Sequence, residues 1–247
     1  MTARRWRIIY WLRILVLAGG AVLVLLVTLD RPHGFWTSRA HLTYFIAAVA
    51  VIALAAAAPE LLNRFSDIGL QRRMEVEEVL KAGLVRLSQV TGIEPWHIGT
   101  HAYRVVRPIM RLRNKELRKV ALFRLGATHL AGGVRWTIGK GVIGTSWQQE
   151  NFAAYDATDD VARAMSDPAA WDAQPAPARM SMSSVEMGAA RHYGTIAALP
   201  VIDPRRNAII GVVSVDGPSG ALEALGSTQV ELALNDLQLG VRRALER

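Results

Sequence analysis

Two apolar runs on either side of an Asp-Pro turn constrain this chain more than any other feature. Thr195–Ile202 and Ala208–Val215 flank Asp203-Pro204-Arg205-Arg206-Asn207. Short, partly β-branched runs around such a loop read as an antiparallel hairpin. Both faces of each run are apolar, so the hairpin belongs inside a sheet that is covered on both sides. Pro200 has no N–H to give to a ladder, and it predicts a bulge or an unpaired edge at that point.

The apolar residues are densest before residue 59. Ile14–Leu29 is uncharged. As a helix it spans roughly 24 Å, or about 33 Å if it begins at Ile8, against a hydrocarbon core of ~30 Å. Arg13 would then snorkel to the headgroups, and Trp6, Tyr10 and Trp11 would sit in the interfacial belt. A signal peptide is the competing reading. A second apolar run follows closely and no clear small-x-small site precedes Asp30, which argues against cleavage. That second run, Leu42–Ala58, is rich in alanine, which permits close helix–helix approach; a buried soluble helix is its alternative. Arg4, Arg5, Arg7 and Arg13 precede the first run, and Arg64, Arg72 and Arg73 follow the second. Arg31 and Arg39 lie between them beside Asp30. The positive-inside rule places both termini in the cytoplasm and the loop outside. Residues 1–59 are therefore expected to form a transmembrane hairpin in the lipid bilayer, making this an integral membrane protein with two spans.

Pro59 suits the first turn of a new helix. Leu62, Phe65, Met74, Val79, Leu80, Leu84 and Leu87 recur at roughly helical spacing, with a break expected near Gly69 and a glycine cap at Gly92. Residues 60–74 form a linker, and the helix beyond them either pairs with a second copy as a homodimer seam or packs on its own sheet. Trp96–Val106 reads as a strand. His97 and His101 would share one face of it ~13 Å apart, too far to chelate one ion. A second strand is expected over Val120–Leu125, a short helix over Val142–Gln149, another over Ser183–Tyr193, and a final amphipathic helix over Leu222–Leu245.

Charge and composition narrow the chemistry. Arg104–Arg124 holds eight basic residues against Glu116 alone, within a chain of net charge +8. Such a patch suits anionic lipid or nucleotide phosphates, or is simply a solvated basic face. Nucleic acid is disfavoured, because no aromatic residue is interleaved in the connecting loop to stack bases. The chain has no cysteine, which excludes disulfides, thiolate metal sites and a cysteine nucleophile. Neither a Ser-His-Asp set nor paired carboxylates nor a metal cluster stands out, so catalysis is not expected. Gly139-Lys140-Gly141-x-x-Gly144 lacks the acidic residue of a dinucleotide fingerprint and the Lys-Ser/Thr ending of a phosphate loop.

Two stretches together resemble the GAF family. One is the hairpin, which ends in Val215-Asp216-Gly217; the other is Trp136-Thr137-Ile138-Gly139-Lys140-Gly141-Val142-Ile143-Gly144. The resemblance implies an α+β fold over residues 75–247, a GAF-like antiparallel sheet flanked by helices, behind the two transmembrane helices. It also implies a sensor, cytoplasmic by the positive-inside rule, that binds a small molecule or nucleotide, or else a module that only dimerises and docks a partner. The sulfoxide-reducing branch of the family depends on cysteines, which this chain lacks. The Asn-Lys-x-Asp-Glu type motif of the cyclic-nucleotide-binding subclass is missing too, which argues against cyclic GMP. Any ligand would lie between the sheet and a methionine-rich cover, Asp156–Met187. Near that cover Tyr155 and Trp171 would stack on a planar group, His192 and Thr195 would hydrogen-bond it beside Asp156, and Arg135 would take an anionic group. Trp147 reads as core filling.

Overall fold

A computed structural model describes residues 38–107, 115–126 and 134–246. The first expected span, Ile8–Leu29, and most of the loop after it lie outside the described residues. Leu42–Ala58 falls within a long helix, α1 (Ser38–Thr91). Among the described residues no helix is long and apolar enough to cross a membrane. The chain divides into two units, Met1–Leu70 and Gln71–Arg247, and the second carries the sheet.

α1 runs through Gly69 without the expected break. It ends where Thr91 Oγ1 donates to Leu87 O at 2.7 Å and Gly92 takes up φ +67°, the left-handed cap that glycine supplies most readily. Pro95–His97 form a 3₁₀ turn, so β1 (Gly99–Val106) starts three residues later than the alternation suggested. β2 (Glu116–Arg124) is longer than expected, and β3 (Ala153–Asp156) is short. The hairpin forms as read, with β4 (Thr195–Asp203) and β5 (Ala208–Gly217). The five strands lie in the order β2-β1-β5-β4-β3, every neighbouring pair antiparallel. Pro200 pairs with Val212 on one side and lies past the end of β3 on the other. A register shift follows at Val201/Ile202. Both devices expected of a strand proline are present.

α1 and the last helix, α7 (Thr228–Glu246), cover one sheet face. Val76, Leu80, Leu84 and Leu87 recur every three or four residues on α1 and are wholly buried, with Leu234, Leu237 and Val241 of α7 and Ala102, Val213 and Val215 of the sheet. Gly83, which costs helix propensity, has a packing reason: a Cβ there would meet Leu237 Cδ1 at 2.4 Å. The expected final helix is split, a short α6 (Leu222–Leu225) preceding α7.

The other face is covered by α2 (Gly141–Gln149), α3 (Thr158–Ser166), α4 (Pro168–Ala173) and α5 (Ser184–Ala190). Asp167 caps α4 by accepting from Ala170 N at 3.0 Å. Ser183 and Glu186 form a capping box at the start of α5. The α+β class expected from the sequence, an antiparallel sheet flanked by helices, is the architecture observed.

Candidate functional site

The cover is packed tightly onto the sheet. Trp171, Met182 and Met187 are buried against Trp147, Ile196 and Ala198, and Trp171 Nε1 donates to Met182 O at 3.1 Å. Large apolar side chains of the cover are therefore buried at the place that the sequence assigned to a ligand. The polar residues gather instead further along the same sheet face, over β2, β1 and β5.

Register dictates that grouping. Gly99 of β1 stands opposite Arg124 of β2 on one side and Asp216 of β5 on the other. A Cβ at Gly99 would lie 2.6 Å from Asp216 Oδ1 and 2.7 Å from Arg124 Nη2. The missing side chain therefore makes the room in which guanidinium and carboxylate meet as an ion pair over the strand. Two residues on, His101 shares their face, and its Nε2 reaches Asp216 Oδ1. His101 and Asp216 are buried and Arg124 nearly so. The His101 ring stacks on Tyr103 with centroids 6.1 Å apart, and meets Tyr193 edge-on at 5.7 Å. Tyr103 in turn meets the edge of Trp136.

This setting fixes the state of the imidazole. Burial drives its pKa down, to about 3, and the positive charges of Lys119 and Arg124 push the same way. The Asp216 carboxylate would favour the charged ring, but its charge is matched by Arg124, so burial decides and the ring is neutral. Because Asp216 is an acceptor, the single ring proton sits on Nε2 and Nδ1 is left as an acceptor. Nδ1 is buried and has no hydrogen-bond partner among the described residues. Burial also raises the pKa values of Tyr103 and Tyr193, so both remain neutral phenols. Ser214 faces His101 in the register, but among the described residues nothing bonds Nδ1 and no Ser-His-Asp relay is assembled around it. Among the described residues no group of three or more His, Cys, Asp or Glu is placed to hold a metal ion.

The six residues singled out from sequence occupy several places. Thr195 Oγ1 donates to Asp156 Oδ2 at 3.1 Å and accepts from Ala221 N at 3.2 Å; Asp156 also accepts from Thr158 N at 2.9 Å and Gly220 N. This pair ties the end of β3 to the loop after β5. Tyr155 is exposed and donates to Asp160 Oδ2 at 2.8 Å. Trp171 is core of the cover. His192 is exposed and accepts from Arg191 Nε at 3.4 Å. Arg135 pairs with Glu116 at 2.6 Å on the β2 side. Only Asp156 and Thr195 are brought together. His101 was read as an ordinary strand histidine, and Asp216 only as part of a turn signature. The available signal was a carboxylate inside a buried, mostly apolar strand, which demands a partner.

No family model matches the chain, and no curated protein does. Among solved structures it is similar to the GAF-domain region of a protein assigned to the membrane in Geobacter sulfurreducens, at 13% identity over 76% of this chain and 98% of that one, TM-score 0.42. It is similar to a free methionine-R-sulfoxide reductase from Neisseria meningitidis solved with its substrate, at 18% identity over 74% and 88%, TM-score 0.40. It is also similar to the nlh2 GAF domain of A. aeolicus in an inactive state, at 15% identity over 73% and 96%, TM-score 0.37.

Proposed function

We propose that this chain is a non-catalytic, GAF-type sensory module, held at the cytoplasmic side of a membrane by its N-terminal segment, that binds a small polar molecule at His101. The observation that carries this reading is the buried, neutral imidazole with an unpartnered Nδ1 between two tyrosine rings. A protein interior seldom keeps a buried acceptor unpaired without a reason. The matching ligand is uncharged, carries an N–H or O–H donor, and has a flat part to lie against Tyr103 or Tyr193. Arg124 and Asp216 neutralise each other and hold the ring rather than attract charge. Binding would be passed to the N-terminal unit through α1, which starts in that unit and packs on the sheet, with α1 pairing in a homodimer.

A second reading is a docking module that recruits a partner protein to the membrane. The burial of Trp171, Met182 and Met187 in the cover supports it. A thermal-shift screen of small metabolites on the full-length protein, followed by titration of any hit, separates the two. His101→Gln keeps a donor for Asp216 and removes Nδ1, and is expected to weaken binding by about five- to a hundred-fold. Tyr155→Ala and His192→Ala are expected to leave it unchanged. Equal affinity in His101→Gln would refute the site, and an empty screen would favour docking.

A further inference from the structure

A concavity lies at the end of the sheet where the β4–β5 turn sits, and His101 does not line it. A groove of about 530 Å³ is lined there by Arg72, Arg104, Arg107, Lys115, Arg205 and Arg206. They come from four places in the chain: α1, the end of β1, the start of β2 and the β4–β5 turn. Val105, Ile209 and Ile210 supply apolar lining. The two carboxylates of the groove, Asp203 and Glu246, are already engaged. Asp203 accepts from Arg205 N at 2.9 Å and Arg206 N at 3.4 Å, which shapes the turn, and Glu246 pairs with Arg242 at 3.8 Å. Of the six cations only Arg206 has an ion pair among the described residues, with Asp203 at 3.5 Å. Arg72 adds an independent sign. Its Nε is buried with no hydrogen-bond partner among the described residues, a guanidinium donor facing no acceptor.

Crowding like charges around a concavity costs repulsion that an anion would relieve. Guanidinium forks match phosphate oxygens in geometry as well as charge. We infer that this groove binds a ligand carrying two or more adjacent phosphate groups, whether on a soluble molecule or on a lipid headgroup. A single carboxylate would leave most of the six cations uncompensated. The apolar lining would meet the non-phosphate part of the ligand.

The test uses the full-length protein with two probes: inorganic tripolyphosphate by calorimetry, and phosphatidylcholine vesicles with or without phosphatidylinositol 4,5-bisphosphate, whose headgroup carries two neighbouring phosphates, by co-sedimentation. Arg104 and Arg205 are both exposed, so R104E/R205E is expected to melt with the parent. The double variant should lose about thirty-fold or more in affinity for the probe that binds, with binding weakening as salt rises. His101→Gln should bind that probe like the parent, which keeps this site distinguishable from the one at His101. Tripolyphosphate binding assigns a soluble ligand. A preference for the bisphosphate lipid that R104E/R205E abolishes, without tripolyphosphate binding, assigns a headgroup. Failure of both probes, or a double variant that binds as tightly as the parent, would overturn the inference.

Discussion

Lowering the pH should destabilise this protein through His101 well before its carboxylates protonate. The unfolded imidazole takes up a proton near pH 6.5, whereas in the folded protein it stays neutral down to about 3. Between those values the unfolded state binds more protons, so stability falls as pH drops and is fully present above 6.5. At pH 5 the unfolded ring is almost wholly charged, about 1.5 pH units below its midpoint, and each unit is worth about 1.36 kcal/mol. The expected loss between pH 8 and pH 5 is therefore about 2 kcal/mol from this one group. Asp156, Asp172 and Glu186 have lowered pKa values through their hydrogen bonds, and their contributions fade only below the ordinary carboxylate range. Urea unfolding followed by tryptophan fluorescence at pH 8 and pH 5 reads the difference. The parent should lose about 2 kcal/mol, and His101→Gln, which cannot titrate, should lose little. A parent with equal stability at both pH values, or a variant with the parent's slope, would refute the burial argument.

Other consequences follow from packing and topology. Trp171→Ala removes a side chain only 1% exposed and its bond to Met182 O, and should cost about 3–5 kcal/mol in the same urea assay. Gly144→Ala puts a Cβ 2.2 Å from Thr137 O, so the turn must move and stability should fall by about 1–3 kcal/mol. Cysteines placed at Ser38 and Ser227 test the proposed membrane topology: an impermeant thiol reagent applied outside cells should label the first and spare the second.

The hairpin was legible because its signal is local. Two β-rich runs and Asp203-Pro204 specify a turn and its flanking strands without reference to anything distant. The glycine turn before α2 was legible for the same reason. β3 was missed because Ala153-Ala154-Tyr155-Asp156 has weak strand propensity and forms by pairing with β4, a tertiary effect. The split between α6 and α7 at Gly226 was missed because the apolar period carries across it. The His101 group could not be read from local pattern at all. Gly99, Arg124 and Asp216 are far apart in sequence and meet only through the register of β1 with both its neighbours. The cover shows the converse limit. Methionines and tryptophans look the same in sequence whether they line a pocket or fill a core, and here Trp171, Met182 and Met187 are buried.

The account rests on a neutral His101 whose Nδ1 is open, and imidazole nitrogen-15 resonances of the labelled full-length protein report that directly. At pH 6 they should show one buried ring protonated on Nε2 alone, with an Nδ1 signal that moves when a screened ligand is added and is lost in His101→Gln. A doubly protonated His101 at that pH, or an Nδ1 signal that no stabilising ligand shifts, would contradict it.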